Sequence, residues 1–290
     1  VECGKIGVYE CRLMKDLSGD ARSQMVEHHL ISYDLLKFPE ISAALIREDQ
    51  CVSVMVNEED HLRIQALLPG LQPEEAARLA FEADDVLSAA GKYAFDPQFG
   101  YLTSCPTNTG TGMRASAMLH LPALTITNRI SAVIQAVSKL GLTVRGLYGE
   151  GSDARGCLYQ LSNQVTLGRS EEDIVKTLVA ATAQLAAQER SVRSQLREQD
   201  AMGLYDRLMR SIGLMANARM MGAVEFMQRY SDLRMAVSME MVAAELPDVD
   251  GMMMDLQNAS LNIAAQHEMN DRERDILRAD HLRERIKNLS

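Results

Sequence analysis

The chain has 290 residues, 30 Lys and Arg against 40 Asp and Glu, a net charge of −10 and a 47% share of hydrophobic residues. That length accommodates one large domain plus a smaller one, and the acidity argues against a general affinity for nucleic acid or an anionic membrane. No apolar run approaches the roughly 18 residues a bilayer crossing needs, no charged-then-apolar leader opens the chain, and the five scattered cysteines lack the CxxC spacing of a zinc site and suit a reducing cytoplasm.

In chain order, Cys51–Val56 reads as a compact apolar strand followed by the polar Asn57–Asp60. Alternation then resumes, with Leu62, Ile64 and Ala66 on one side and His61, Arg63 and Gln65 on the other. Pro73 with Glu74 and Glu75 opens a helix that runs to Ser88–Ala90 and stops at Gly91. Arg114, Ser116, Met118 and His120 share one side of a strand ending at Pro122. Asn128 is placed to cap a helix through Ile130, Val133, Ile134 and Val137, with Gly141 past its end. Leu142–Gly149 and Leu158–Leu167 read as strands around a glycine-bearing loop. Ser170–Asp173 resembles a capping box opening a helix to about Gln195, and three or four further helices are broken near Gly203, Gly222 and Pro247-Asp248. The expected fold is α+β: a largely antiparallel sheet flanked by helices over 1–197, followed by an all-α domain over 198–290.

Four constellations carry possible chemistry. In Asn57–Arg63 (NEEDHLR), Glu59, His61 and Arg63 share a face, setting a carboxylate beside a guanidinium; composition alone favours a charged hairpin tip. Ser104–Arg114 is rich in Gly, Thr and Asn, so its backbone N–H groups can approach an anion, but it lacks a Walker lysine, and a lone cysteine is more often a small buried hydrophobe. Arg145–Gly151 sets Glu150 between glycines, as suits either a closing loop or a plain hairpin. Arg274 and Arg278 lie one turn apart and can converge on a phosphate, although spacing alone favours a solvated face laced with ion pairs.

Together NEEDHLR, Cys105–Arg114 (CPTNTGTGMR) and Arg145–Glu150 (RGLYGE), in this order, resemble the signature segments of phosphagen kinases. Met25–Ser32 (MVEHHLIS), Gly100–Ser116 (GYLTSCPTNTGTGMRAS) and Ser162–Gly168 (SNQVTLG) are similar to the bacterial, McsB-like protein-arginine kinase branch. The resemblance implies an ATP- and Mg²⁺-dependent kinase of protein arginine side chains. In it Glu59 orients the target guanidinium and takes its proton, Glu150 holds that group from the loop, and Cys105, as thiolate, sits beside it. Arg63, Arg114 and Arg145 clamp the ATP phosphates, with His120 close to the nucleotide. No residue is assigned as a metal ligand, since phosphate oxygens and water hold the Mg²⁺.

The branch also carries an RDxxRA motif, matched by Arg274, Asp275, Arg278 and Ala279, which implies an allosteric phosphoarginine pocket. Homodimerisation, a cytoplasmic stress response, delivery of marked proteins to the ClpC–ClpP protease and a zinc-binding activator, McsA, are implied likewise. The helical segment after the catalytic one speaks against a kinase of free arginine or creatine. A non-catalytic phosphoarginine adaptor is the alternative of a different class. The family's earlier segment, roughly S-x-R-x-R-x-x-R, is not found, and Val1 stands where Met is expected, so a catalytic domain incomplete at its N-terminus is anticipated.

Overall fold

The computed structural model describes residues 2–3, 6–146 and 154–287. Two compact units interleave along the chain: the first takes 1–117, 137–143 and 161–182, the second 118–136, 144–160 and 183–290.

The apolar run and the alternating run become neighbours in the first unit. Its five-stranded sheet has the order β1 (Glu2–Cys3), β2 (Gly7–Leu13), β3 (Ala43–Arg47), β4 (Val52–Val56) and β5 (Leu62–Ala66), each pair antiparallel. The period of two sorts side chains to opposite faces. Ala44, Ile46 and Met55 pack with Met14, Met25, Ile31 and Leu35, below helix α1 (Gly19–Glu27). Leu45, Val52, Ile64 and Ala66 pack with Tyr9 and with Leu79 and Ala83 of helix α2 (Pro73–Ala90). That helix has the expected limits, because Pro73 fits a first turn whose N–H groups need no intrahelical partner and Gly91 follows its last residue. Two short strands, β6 (Phe95–Asp96) and β7 (Gly100–Tyr101), form a separate ribbon.

Strands β8 (Ser116–His120), β9 (Leu142–Gly146) and β10 (Leu158–Asn163) form a three-stranded sheet in the order β8–β10–β9. The strand expected to continue to Leu167 ends at Asn163, whose side chain is engaged elsewhere, as described below. Between β8 and β9 the sequence reading missed a short helix, α3 (Pro122–Ile126), ahead of α4 (Ile130–Ser138). Asn128 therefore does not cap α4. It lies in the left-handed region, φ 56°, and its N–H bonds to Thr125, closing α3. The start of α3 is satisfied from a distance, by the buried Glu189 carboxylate accepting the N–H groups of Ala123 and Leu124 at 2.9 and 3.0 Å.

Helix α5 (Glu171–Gln199) starts on Ser170, whose hydroxyl accepts the Asp173 N–H. Among the described residues five helices follow, not three or four: α6 (Ala201–Asn217), α7 (Ala223–Ser238), α8 (Leu246–Asp255), α9 (Asn258–Ala265) and α10 (Asp271–Lys287). The first break lies at Asp200, which caps α6 through the Gly203 N–H, and the last is marked by a reciprocal box between Asn270 and Glu273. The unit's core is methionine-rich. Phe226, Tyr230, Leu233 and Val237 of α7, at three- and four-residue steps, meet Met215, Met252, Met253, Leu282 and Ile286. Each large side chain so buried stabilises the fold by about 1.5–3 kcal/mol before entropy is subtracted.

Candidate active site

The turn joining β4 to β5 is tight. Asn57 has φ 58°, its N–H reaches the His61 carbonyl at 3.0 Å, and its side chain donates to the Ile41 carbonyl at 2.8 Å. This sorts the three consecutive acids into different directions. The Glu58 side chain is only 2% exposed. One oxygen accepts the Ser32 hydroxyl at 2.5 Å and the Arg63 guanidinium at 2.6 Å, while the other accepts the Glu59 N–H at 2.8 Å. Asp60 accepts the backbone N–H of Ser104 at 2.7 Å. The Glu59 side chain, between them, is exposed and makes no hydrogen bond or ion pair among the described residues. Two carboxylates are thus spent on holding the turn and the third faces outward, ready for a cation.

The Asp60–Ser104 bond spans 44 residues and joins this turn to the loop bearing Cys105. That loop is itself clamped. Thr103 donates to the Cys105 carbonyl at 2.7 Å, and the Cys105 sulfur lies 3.0 Å from the Thr107 hydroxyl. Thr166 donates to the carbonyls of Thr107 and Thr109 at 2.9 and 2.7 Å. Asn163 accepts the Ala115 N–H at 2.8 Å and donates to the Met113 carbonyl at 3.2 Å. Gly110, φ 115°, is required here, since a Cβ would come within 2.7 Å of the Thr166 carbonyl oxygen. The stretch Ser162–Gly168, noticed in the sequence without a role, is therefore the buttress of the loop.

Glu59 and Cys105 are each one residue from the Asp60–Ser104 joint, and Arg63 shares the hairpin with Glu59. Arg114 is exposed at the end of the same clamped loop, and all four belong to the first unit. A carboxylate, a thiol and surface guanidinium groups so gathered can hold a planar cation and oppose a phosphate. Arg145 is exposed on β9 in the second unit; Glu150 lies outside the described residues. Among the described residues no cluster of three His, Cys, Asp or Glu side chains is placed to hold a metal ion, and no helix is long and apolar enough to cross a membrane.

Two groups of expected site residues are held inside the fold. His120 does not offer its ring to a nucleotide in solution. It is buried, its Nε2 lies 2.8 Å from the Ser231 hydroxyl and its Nδ1 has no partner, and burial, with help from Arg234 and Arg193, holds it well below the ordinary histidine pKa. Arg274 and Arg278 are likewise engaged within the protein. Arg278 is fully buried and donates to the Leu256 and Met221 carbonyls, Asp275 and Asn258 at 2.7–2.9 Å, while Ala279 is wholly in the core. Arg274 is turned toward the Met269 carbonyl and Asp271. In these contacts the motif staples α10 to its neighbours.

The sequence model of the ATP:guanido phosphotransferase C-terminal catalytic domain matches residues 5–192, and that of the protein-arginine kinase McsB C-terminal domain matches 201–290. The chain is similar to the protein-arginine kinase of Desulforamulus reducens, 47% identical over 289 residues, covering 98% of this chain and 80% of that one. It is likewise similar to the protein-arginine kinase of Moorella thermoacetica, 46% identical over 280 residues, covering 96% and 80%. Among solved structures, the duplicated taurocyamine kinase of Schistosoma mansoni with transition state analog components matches with a TM-score of 0.58 at 26% identity, over 63% of this chain and 27% of that one. Lombricine kinase matches with a TM-score of 0.55 at 22% identity, over 67% and 57%, a likeness of fold.

Proposed function

Because this chain belongs to the ATP:guanido phosphotransferase family, in its protein-arginine kinase branch, we propose that it transfers the γ-phosphoryl group of ATP to arginine side chains of proteins. The observation that carries this reading is the Asp60–Ser104 bond, which draws the Glu59 turn and the Cys105 loop together. A guanidinium is protonated at neutral pH, with a pKa above about 12, and is a poor nucleophile. Glu59 fixes its plane by paired hydrogen bonds and accepts a proton as the guanidino nitrogen forms its bond to phosphorus. The bond from that phosphorus to the bridging oxygen breaks and ADP leaves.

Phosphoryl transfer asks the protein mainly for positioning and neutralisation of charge. Arg63, held in place by Glu58, and Arg114, at the end of the clamped loop, are suited to the phosphates. Arg145 and Glu150 are assigned to the same clamp and to the guanidinium by resemblance. Cys105, its sulfur 3.0 Å from the Thr107 hydroxyl, is assigned a place beside the guanidinium by resemblance. Mg²⁺ would be held by phosphate oxygens and water. Also by resemblance, the reading assigns the marked proteins to ClpC–ClpP proteolysis in a cytoplasmic stress response, with McsA as activator and a homodimer as the working form.

Incubation with Mg-ATP and an arginine-rich protein is expected to give acid-labile phosphoarginine, and Glu59→Gln to lower turnover by roughly 10²-fold or more while the fold persists. Phosphoserine alone, or no product, overturns the proposal. The adaptor alternative is weakened by the burial of Arg278.

A further inference from the structure

A cavity of about 560 Å³ opens in the second unit where the turn Arg155–Cys157 packs on α7. The approach depends on Gly156: its φ is 66°, and a Cβ there would fall 2.9 Å from the Met227 side chain and 3.1 Å from the Met227 carbonyl oxygen. This contact puts Arg155 and Cys157 on the cavity wall opposite Arg207 of α6 and Arg229, Ser231 and Asp232 of α7. A second lobe of about 460 Å³ shares Arg207, Arg229 and Asp232 and adds Arg210 and Asp206.

The charge here runs against the rest of the molecule. Among the described residues four arginines stand with Asp206, Asp232 and Glu225, the acid of the first turn of α7 that pairs with Arg229, a local excess of one positive charge in a chain of net charge −10. The acids meet three of these cations only at 3.4–3.9 Å. Asp232 is occupied by the Ser211 hydroxyl at 2.6 Å and meets Arg207 only at 3.4 Å; Asp206 and Arg210 are 3.8 Å apart. The Arg155 side chain has no hydrogen-bond or ion-pair partner among the described residues. Arg229 donates to Ser211 at 3.2 Å, and its Nε is buried without a hydrogen bond, 3.9 Å from the Glu225 carboxylate. Burial pushes the Cys157 thiol up, so the wall gains no thiolate charge. Val224, in the first turn of α7, brings the positive end of that helix to the cavity.

We propose that this cavity binds a phosphoryl dianion on a small polar stem, held by Arg155, Arg207 and Arg229. Guanidinium donors match phosphate oxygens in pairs, and the volume lies in the range of small-ligand sites, larger than a bare phosphate fills. Arg63 and Arg114, the phosphate partners of the active site, belong to the other unit, so the two kinds of binding separate by mutation.

The test is calorimetric titration at low salt with two probes, inorganic phosphate and a short phosphoserine peptide, and no nucleotide. The parent and an Arg63→Gln/Arg114→Gln variant should bind with equal affinity, and Arg155→Gln and Arg207→Gln should each weaken binding about tenfold. Arg155→Gln removes no described contact, so its loss cannot be blamed on misfolding. Tighter binding of the peptide identifies a phosphorylated side chain as the source, and equal binding a free phosphate. Absence of saturable binding, or binding lost in Arg63→Gln/Arg114→Gln but unchanged in Arg155→Gln and Arg207→Gln, overturns the proposal.

Discussion

Replacing Asp60 by alanine removes the acceptor that joins the Glu59 turn to the Cys105 loop. The bond runs from a backbone N–H to a carboxylate at 2.7 Å and is exposed to solvent. A hydrogen bond to a charged group contributes about 1.5–3 kcal/mol, and exposure to water puts this one at or below the lower end, about 1–1.5 kcal/mol. The effect on catalysis should be larger, because a shift of about 1 Å in a reacting group costs on the order of 10²-fold in rate. Asp60→Asn keeps an oxygen that can accept the same N–H without the charge, and should lose about half as much of each. Urea unfolding measures the first quantity and initial rates of phosphoarginine formation the second. The KM for ATP should change little, since Arg63 is anchored by Glu58 and not by Asp60. A variant that loses the stability yet keeps full turnover would show that the two loops do not form one working site.

Thr166→Val keeps the volume but loses both bonds to the Cys105 loop, and should cost roughly 1–2 kcal/mol with a fall in turnover; unaltered turnover in the rate assay counts against the buttress. Arg278→Leu leaves the Leu256 and Met221 carbonyls without their donor and should destabilise by about 3–5 kcal/mol in urea. A cost below about 1 kcal/mol would mean that the guanidinium was available to a ligand after all. His120 has a lowered folded-state pKa, so the unfolded chain takes up the proton first as pH falls. Its contribution to stability is complete above the ordinary histidine pKa, about 6.5, and is lost on acidification toward the folded value. Melting temperatures between pH 7.5 and 5.5 should therefore fall more steeply for the parent than for His120→Gln, and parallel slopes would refute the assignment.

Much of the chain was legible in one dimension because its signals are local. Pro73 and Gly91 bound a helix by their own backbone constraints, Ser170 caps another within one turn, and the alternation from Leu62 to Ala66 divides the two faces of a sheet. The order of the signature segments was enough to identify the family, and with it the outward carboxylate Glu59. Tertiary structure alone decided what the neighbouring charges do. Glu58 and Asp60 look like Glu59 in sequence, yet Ser32 and Ser104, distant along the chain, turn them into struts. His120 and Arg278 follow plausible motif spacings, yet Ser231 in one case and the carbonyls of Met221 and Leu256 in the other draw them into the core. Spacing sets which side chains share a face. Burial and the supply of partners across long separations determine whether such a charge works on a ligand or holds the fold.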